Sequence, residues 1–196
     1  MHPHDEVPAH GSIDRGGVDP ADRDDLTGLW NRRRFEEELE RHIACSRPCG
    51  ARLAVLSIDV DGYRDVIQLH GAVAAEGLIL SISQVLAQRL HPNETVARLG
   101  GDEFAAVVPE ATLQLAQSLA DDLCTAVRER PHPVGGSQVH ATVSIGGVLL
   151  DTPTATHREA LAAAEAALWE AKTAGADRAV VHDPRQDAQA ASRIGL

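Results

Sequence analysis

At 196 residues the chain is long enough for one domain with a proper core and too short for two of ordinary size. Apolar residues make up 43% but aromatics only 3%, so the core must be built mostly of Leu, Val, Ile and Ala. A formal net charge of -11 argues against a nucleic-acid-binding surface or an anionic membrane partner. No apolar run reaches the length of a membrane span, and Met1 to Gly11 carries no apolar segment of a signal peptide, so a cytoplasmic protein is expected.

In chain order, residues 1–21 mix Pro, Gly, His and Asp without periodicity and read as a disordered leader, His2, His4 and His10 included. A single domain is expected over 22–183 and a polar, Ala-rich tail over 184–196. Asn31 is placed to cap a helix through about Ala44, with Phe35, Leu39 and Ile43 on one face. Leu53 to Ile58 suits a central strand buried on both faces. Tyr63 to His70 and Glu76 to Leu90 read as two helices parted near Gly71. Thr112 to Glu129 is expected to be helical, Val139 to Leu150 a strand, Arg158 to Ala174 a helix, and Ala179 to His182 a short last strand. Cys45 and Cys49 with His42 nearby lack a fourth metal ligand in sequence, so these cysteines and Cys124 are expected as reduced thiols.

The most informative run is Arg98-Leu99-Gly100-Gly101-Asp102-Glu103-Phe104. Thr95-Val96-Ala97 before it and Phe104 to Val108 after it favour strands, so Gly100 and Gly101 are expected at a hairpin tip, with Asp102 and Glu103 on the returning strand. Glycines there also let a ligand approach the backbone, beside carboxylates able to hold a divalent cation or take a proton. Asp59 and Asp61 follow the central strand; they read either as caps of the helix beginning near Gly62 or as oxygen ligands for a metal.

Gly100-Gly101-Asp102-Glu103-Phe104 resembles the signature of the GGDEF family, the diguanylate cyclases that join two GTP into cyclic di-GMP. Asp24 to Phe35, Ser57 to Arg64, Ala141 to Gly146 and Ala164 to Lys172 are similar to further blocks of that family, in its order. The resemblance implies an α+β fold: a palm-like sheet with flanking helices, as in nucleotide cyclases. It implies that Asp59, the carbonyl of Val60 and Glu103 coordinate two Mg²⁺, that Asp102 helps deprotonate the attacking 3′-hydroxyl, and that Lys172 faces phosphate. Gly100 and Gly101 would border the substrate.

Other positions depart from the family pattern. Ile67 stands where an asparagine reads guanine, Glu76 where an aspartate does, and Arg64 replaces a lysine. The Gly-Arg after Lys172 becomes Gly175-Ala176, with Arg178 two residues on as a candidate substitute. An isoleucine at guanine's polar edge costs roughly 1–3 kcal/mol, and a lost phosphate contact about another 1.5–3 kcal/mol. Together they weaken GTP binding by about 100- to 10,000-fold. The Arg-x-x-Asp product-inhibition motif becomes His91-Pro92-Asn93-Glu94, so cyclic di-GMP is expected to bind poorly there.

Three functions follow from this pattern. One is a regulatory or nucleotide-binding module with an eroded guanine pocket and weak or absent catalysis, which is the favoured expectation. The second is an active cyclase, which needs two GTP-loaded domains face to face in a homodimer or with a partner GGDEF protein. The third, ranked last, is another nucleotidyl cyclase or transferase with relaxed base choice. The absence of a Gly-x-x-x-x-Gly-Lys loop argues against a P-loop NTPase.

Overall fold

The computed structural model describes residues 19–46, 48, 50–150 and 156–194. Most of the expected leader, Cys49 and residues 151–155 lie outside them. The elements are α1 (Arg32–Ser46), β1 (Leu53–Val60), α2 (Tyr63–His70), α3 (Ala72–Arg89), β2 (Thr95–Gly100), β3 (Glu103–Val108), α4 (Leu113–Glu129), β4 (His132–Val134), β5 (Ser137–Val139), β6 (Val143–Leu150), α5 (His157–Thr173), β7 (Ala179–His182) and α6 (Pro184–Ile194). A five-stranded sheet runs β2-β3-β1-β6-β7 and is antiparallel except for the parallel β6–β7 pair. This is the α+β sandwich expected from the sequence.

β1 lies at the centre of the sheet, and its period of two divides the core. Ala54, Leu56, Ile58 and Val60 join Leu78, Ile79, Ile82 and Leu123 in one layer, under α3 and α4. Leu53 and Val55 join Phe35, Leu39, Ala160 and Ala164 in the other, under α1 and α5. Scarce aromatics leave Phe35 and Phe104 as the largest fully buried side chains, one in each layer, with Leu and Ile filling most of the rest.

Helix starts carry side-chain caps. Asn31 accepts the Arg34 amide at 3.0 Å, as its position predicts. Thr112 caps α4, and Thr156 forms a capping box with Glu159. Three local expectations need correction. The strand expected from Val139 starts at Val143, because Val139 closes a small hairpin, β4–β5, around Gly135-Gly136. α3 begins at Ala72, directly after Gly71, and so holds Glu76 in its second turn. The expected tail is helical over Pro184–Ile194. Asp183 starts that helix by accepting the Arg185 amide at 3.1 Å, and it is gripped by Arg52 at 2.6 and 2.9 Å. No helix among the described residues is long and apolar enough to cross a membrane.

Candidate functional site

The β2–β3 hairpin presents the signature. Its register slips between Arg98 and Gly100, so Leu99 is a bulge and the tip is Gly101-Asp102 rather than the Gly-Gly pair. Gly100 at φ 144° and Gly101 at φ 53° adopt backbone that side chains disfavour. Asp102 therefore sits in the turn, and only Glu103 is on the returning strand. Arg98 braces the tip: its Nε and Nη2 donate to the Gly101 carbonyl at 3.0 and 2.7 Å. Its Nη1 donates to both carboxylate oxygens of Asp24 at 3.2 Å. Asp24 also accepts the Thr27 amide and hydroxyl at 2.9 and 2.7 Å. Burial pushes its pKa up, but the Thr27 and Arg98 hydrogen bonds outweigh this and hold it below the ordinary value. The opening block and the hairpin are thus physically one unit.

Asp59 on β1 is the direct register partner of Glu103 on β3, which puts both side chains on one face of the sheet. Each carboxylate meets a cation from a different helix. Lys172 Nζ of α5 lies 2.6 Å from Asp59, and Arg32 Nη2 of α1 lies 3.2 Å from Glu103. Arg32 Nε also donates to the Leu99 carbonyl at 3.2 Å. The amide of Val60 donates to the Asp102 carbonyl at 3.3 Å, tying the turn to the end of β1. Burial pushes the Asp59 pKa above the usual carboxylate value; the charges of Asp102 and Asp61 add to this and Lys172 opposes it. Such a carboxylate gains from a nearby cation.

Asp61 does something different. It accepts the hydroxyls of Thr142 and Ser144 at 2.7 Å each and the amide of Asp177 at 3.2 Å. Neither it nor Asp59 caps α2, whose N-cap is Gly62 with no side-chain hydrogen bond. Among the described residues no group of three or more His, Cys, Asp or Glu side chains is arranged to hold a metal. The oxygen donors at the end of β1 are two side chains, Asp59 and Glu103, and the Val60 carbonyl. That all-oxygen set fits a hard divalent cation.

The candidate base-reading residues lie on other elements. Arg64 and Ile67 are exposed on α2, and Glu76 is exposed on α3. Burial pushes the pKa of Tyr63, the first residue of α2, above its ordinary value; the charges of Asp102 and Glu76 push further, and that of Arg98 opposes them. Behind Lys172 the chain turns through Gly175, Ala176 and Asp177, all at positive φ. Arg178 folds back over this turn; its Nε donates to the Ala176 carbonyl at 3.1 Å. Its Nη2 lies 3.4 Å from where a Cβ on Gly175 would be.

His91 and Glu94 close a turn on themselves, the Glu94 carboxylate accepting the His91 amide at 2.7 Å. Beside them is a cavity of 490 Å³ bordered by Trp30, Glu38, Arg41 and His42. Sequence reading missed Arg32 and the Arg98–Asp24 pair. Arg32 sits in a run of three arginines, and nothing in such a run marks which one turns toward the site.

Residues 21–178 match the family described as diguanylate cyclase, GGDEF domain. The probable diguanylate cyclase DgcE of Escherichia coli is 28% identical over 177 residues, which is 90% of this chain and 16% of that protein. The GGDEF domain of DgcB from Caulobacter crescentus, solved with c-di-GMP, superposes with a TM-score of 0.78 at 25% identity, covering 82% of this chain and 95% of that one. Diguanylate cyclase SiaD from Pseudomonas aeruginosa, solved with its activator SiaC, also gives 0.78, at 29% identity over 82% of this chain and 61% of that one. The chain spans less than two fifths of the length of curated relatives such as DgcE and the diguanylate cyclase TpbB of Pseudomonas aeruginosa. With the signature hairpin, its bracing arginine and the opposed carboxylates in place on this sheet, the chain belongs to the GGDEF domain family of diguanylate cyclase type.

Proposed function

We propose that this domain is a nucleotide-binding, regulatory module of cyclic di-GMP signalling whose own diguanylate cyclase activity is weak or absent. The observation that carries the reading is Ile67, an exposed apolar side chain on α2 at the position matching the family's guanine-reading asparagine. An isoleucine offers no hydrogen bond to a purine edge, so recognition falls to Glu76, one methylene longer than the usual aspartate, and to the phosphates. The site would act in the cytoplasm, where GTP is supplied.

The metal half of the site supports retained binding of a triphosphate. Asp59, Glu103 and the Val60 carbonyl would hold Mg²⁺; a pair of such ions, when bound, would supply charge stabilisation for the attacking and leaving oxygens of a phosphoryl displacement. Lys172, Arg64 and Arg178 would bind phosphate oxygens, and Gly100 and Gly101 leave the backbone open to the ligand. Asp102, in the turn, would accept the proton of the 3′-hydroxyl. Because each domain binds one GTP, condensation needs a second domain opposite, in a homodimer or with a partner GGDEF protein.

The alternative reading, an active cyclase working as a homodimer, draws on the Asp59–Glu103 pairing and Lys172. Turnover of GTP to cyclic di-GMP with Mg²⁺ at high protein concentration decides between the two. Little or no product from the wild type, with product from Ile67→Asn combined with Ala176→Arg, is the expected result. Ready turnover by the wild type, abolished by Glu103→Ala, overturns it. The structures with c-di-GMP and with the activator SiaC are precedents for nucleotide and protein partners in this family.

A further inference from the structure

The two opposed carboxylates are treated alike: α5 lends Lys172 to Asp59, and α1 lends Arg32 to Glu103. Lys172 matches a family position that faces phosphate, whereas Arg32 lies in the opening block, Asp24 to Phe35, without a role that the resemblance assigns. Arg32 is the first residue of α1, and its Nε is anchored to the Leu99 carbonyl on the bulge of the hairpin. That tether fixes the guanidinium beside Glu103 while Arg32 and Glu103 remain 47% and 56% exposed. A pair so exposed contributes little to folding and is easily exchanged. The guanidinium has five donors in a planar fork, and the Leu99 and Glu103 contacts occupy only part of it.

We propose that Arg32 is a phosphate-contacting residue of this site, its guanidinium exchanging Glu103 for a phosphate oxygen of a metal-bound triphosphate. The inference rests on the reading of Asp59 and Glu103 as cation ligands. Once a divalent cation claims Glu103, Arg32 stays tethered next to it without its carboxylate. A triphosphate on that cation offers oxygens whose geometry suits the fork. The same exchange would supply a guanidinium on the hairpin side of a site that has Ala176 in place of the family's arginine. It also couples the two ligands: the cation releases Arg32, and the anion takes it, so each binds better with the other present.

Inorganic triphosphate with Mg²⁺ is the probe, because it has no base and bypasses Ile67. Titration calorimetry on the wild type, Arg32→Ala and Arg32→Lys gives the phosphate affinity, and Mn²⁺ binding without phosphate gives the cation affinity. Arg32→Ala is expected to weaken triphosphate binding about 10-fold or more. It should leave Mn²⁺ affinity unchanged or slightly tighter, since a competitor for Glu103 is gone. Arg32→Lys should fall between. Equal triphosphate affinity in wild type and Arg32→Ala, no triphosphate binding by the wild type, or an equal loss of Mn²⁺ binding overturns the proposal. Glu103→Ala separates the two readings: if it leaves Mn²⁺ binding untouched, the cation site itself is misassigned and Arg32 falls with it. If it abolishes Mn²⁺ binding while Arg32→Ala changes nothing, only the role of Arg32 fails.

Discussion

The carboxylate of Asp61 and the hydroxyl of Ser144 lie 2.7 Å apart, and this bond locks the loop after β1 onto β6. Thr142 and the amide of Asp177 complete the clasp, so one side chain joins three segments distant in sequence. Asp61 is thereby committed to the fold rather than to a ligand. Asp61→Ala is expected to cost about 2–4 kcal/mol, since hydrogen bonds to a charged group contribute roughly 1.5–3 kcal/mol each and do not add fully. Denaturant unfolding measures it; a loss below about 0.5 kcal/mol would show the clasp to be idle.

Gly146 on β6 has no room for a side chain. A Cβ there would lie 1.9 Å from the Leu168 amide nitrogen and 2.3 Å from the Ala164 carbonyl oxygen, both backbone atoms of α5. Backbone cannot rotate aside as a side chain does, so α5 would have to lift off the sheet, carrying Lys172 with it. Gly146→Ala is expected to cost more than the 1–3 kcal/mol typical of overpacking. Gly136→Ala, which meets nothing within 4 Å but has φ 86°, should cost only about 1–2 kcal/mol. Equal melting points for the two variants would refute the packing argument.

His132 is fully buried between α3 and the end of α4. Ser81 lies 2.8 Å from its Nδ1, and its Nε2 donates to the Val127 carbonyl at 3.0 Å. Burial pushes its pKa below the ordinary 6.5; the charges of Arg130 and His140 push the same way, and the Val127 carbonyl opposes them. The unfolded chain therefore binds a proton at higher pH than the native state does. Stability tied to His132 is full above pH 6.5 and is lost as pH falls from there through the lowered native value. Urea midpoints between pH 8 and pH 5 should drop more steeply for the wild type than for His132→Gln. Parallel profiles would mean that His132 does not titrate on unfolding.

Much of this was legible because the relevant signals are local. The helix face of Phe35, Leu39 and Ile43, the apolar run of β1 and the Asn31 cap need only a few neighbours to act. The β4–β5 hairpin was not legible: each strand has three residues, and Pro133 within β4 argues against a strand. α6 was hidden by polar composition, although Asp183-Pro184 is a serviceable helix start. At the site, the carboxylates and Lys172 came from the motifs, but the contact of Arg32 with Glu103 did not. Glu103 and Arg32 are 71 residues apart, and only the packing of α1 beside the β2–β3 hairpin brings them together. Asp61 read either as a cap of α2 or as an oxygen ligand, yet the partners that occupy it are Thr142 just before β6, Ser144 on β6 and the Asp177 amide before β7.

Arg178 tests how far a neighbouring residue can stand in for a missing one. Its guanidinium folds back over Gly175 and Ala176, held by the Ala176 carbonyl, so the cation is displaced along the chain but returned toward the turn after Lys172. The hydrogen bond uses Nε and leaves the Nη groups for an anion. If Arg178 serves phosphate, Arg178→Ala should weaken binding of Mg²⁺ with inorganic triphosphate by about 10-fold, the worth of a charge-assisted contact. Ala176→Arg in the Arg178→Ala background should then restore most of the loss, because both positions would present a guanidinium at the same turn. No loss of triphosphate binding in Arg178→Ala would mean that Arg178 only braces the strained backbone at Ala176 and Asp177. In that case Arg178→Ala should lower the unfolding midpoint and leave triphosphate affinity unchanged, so the two measurements on one variant separate phosphate binding from bracing.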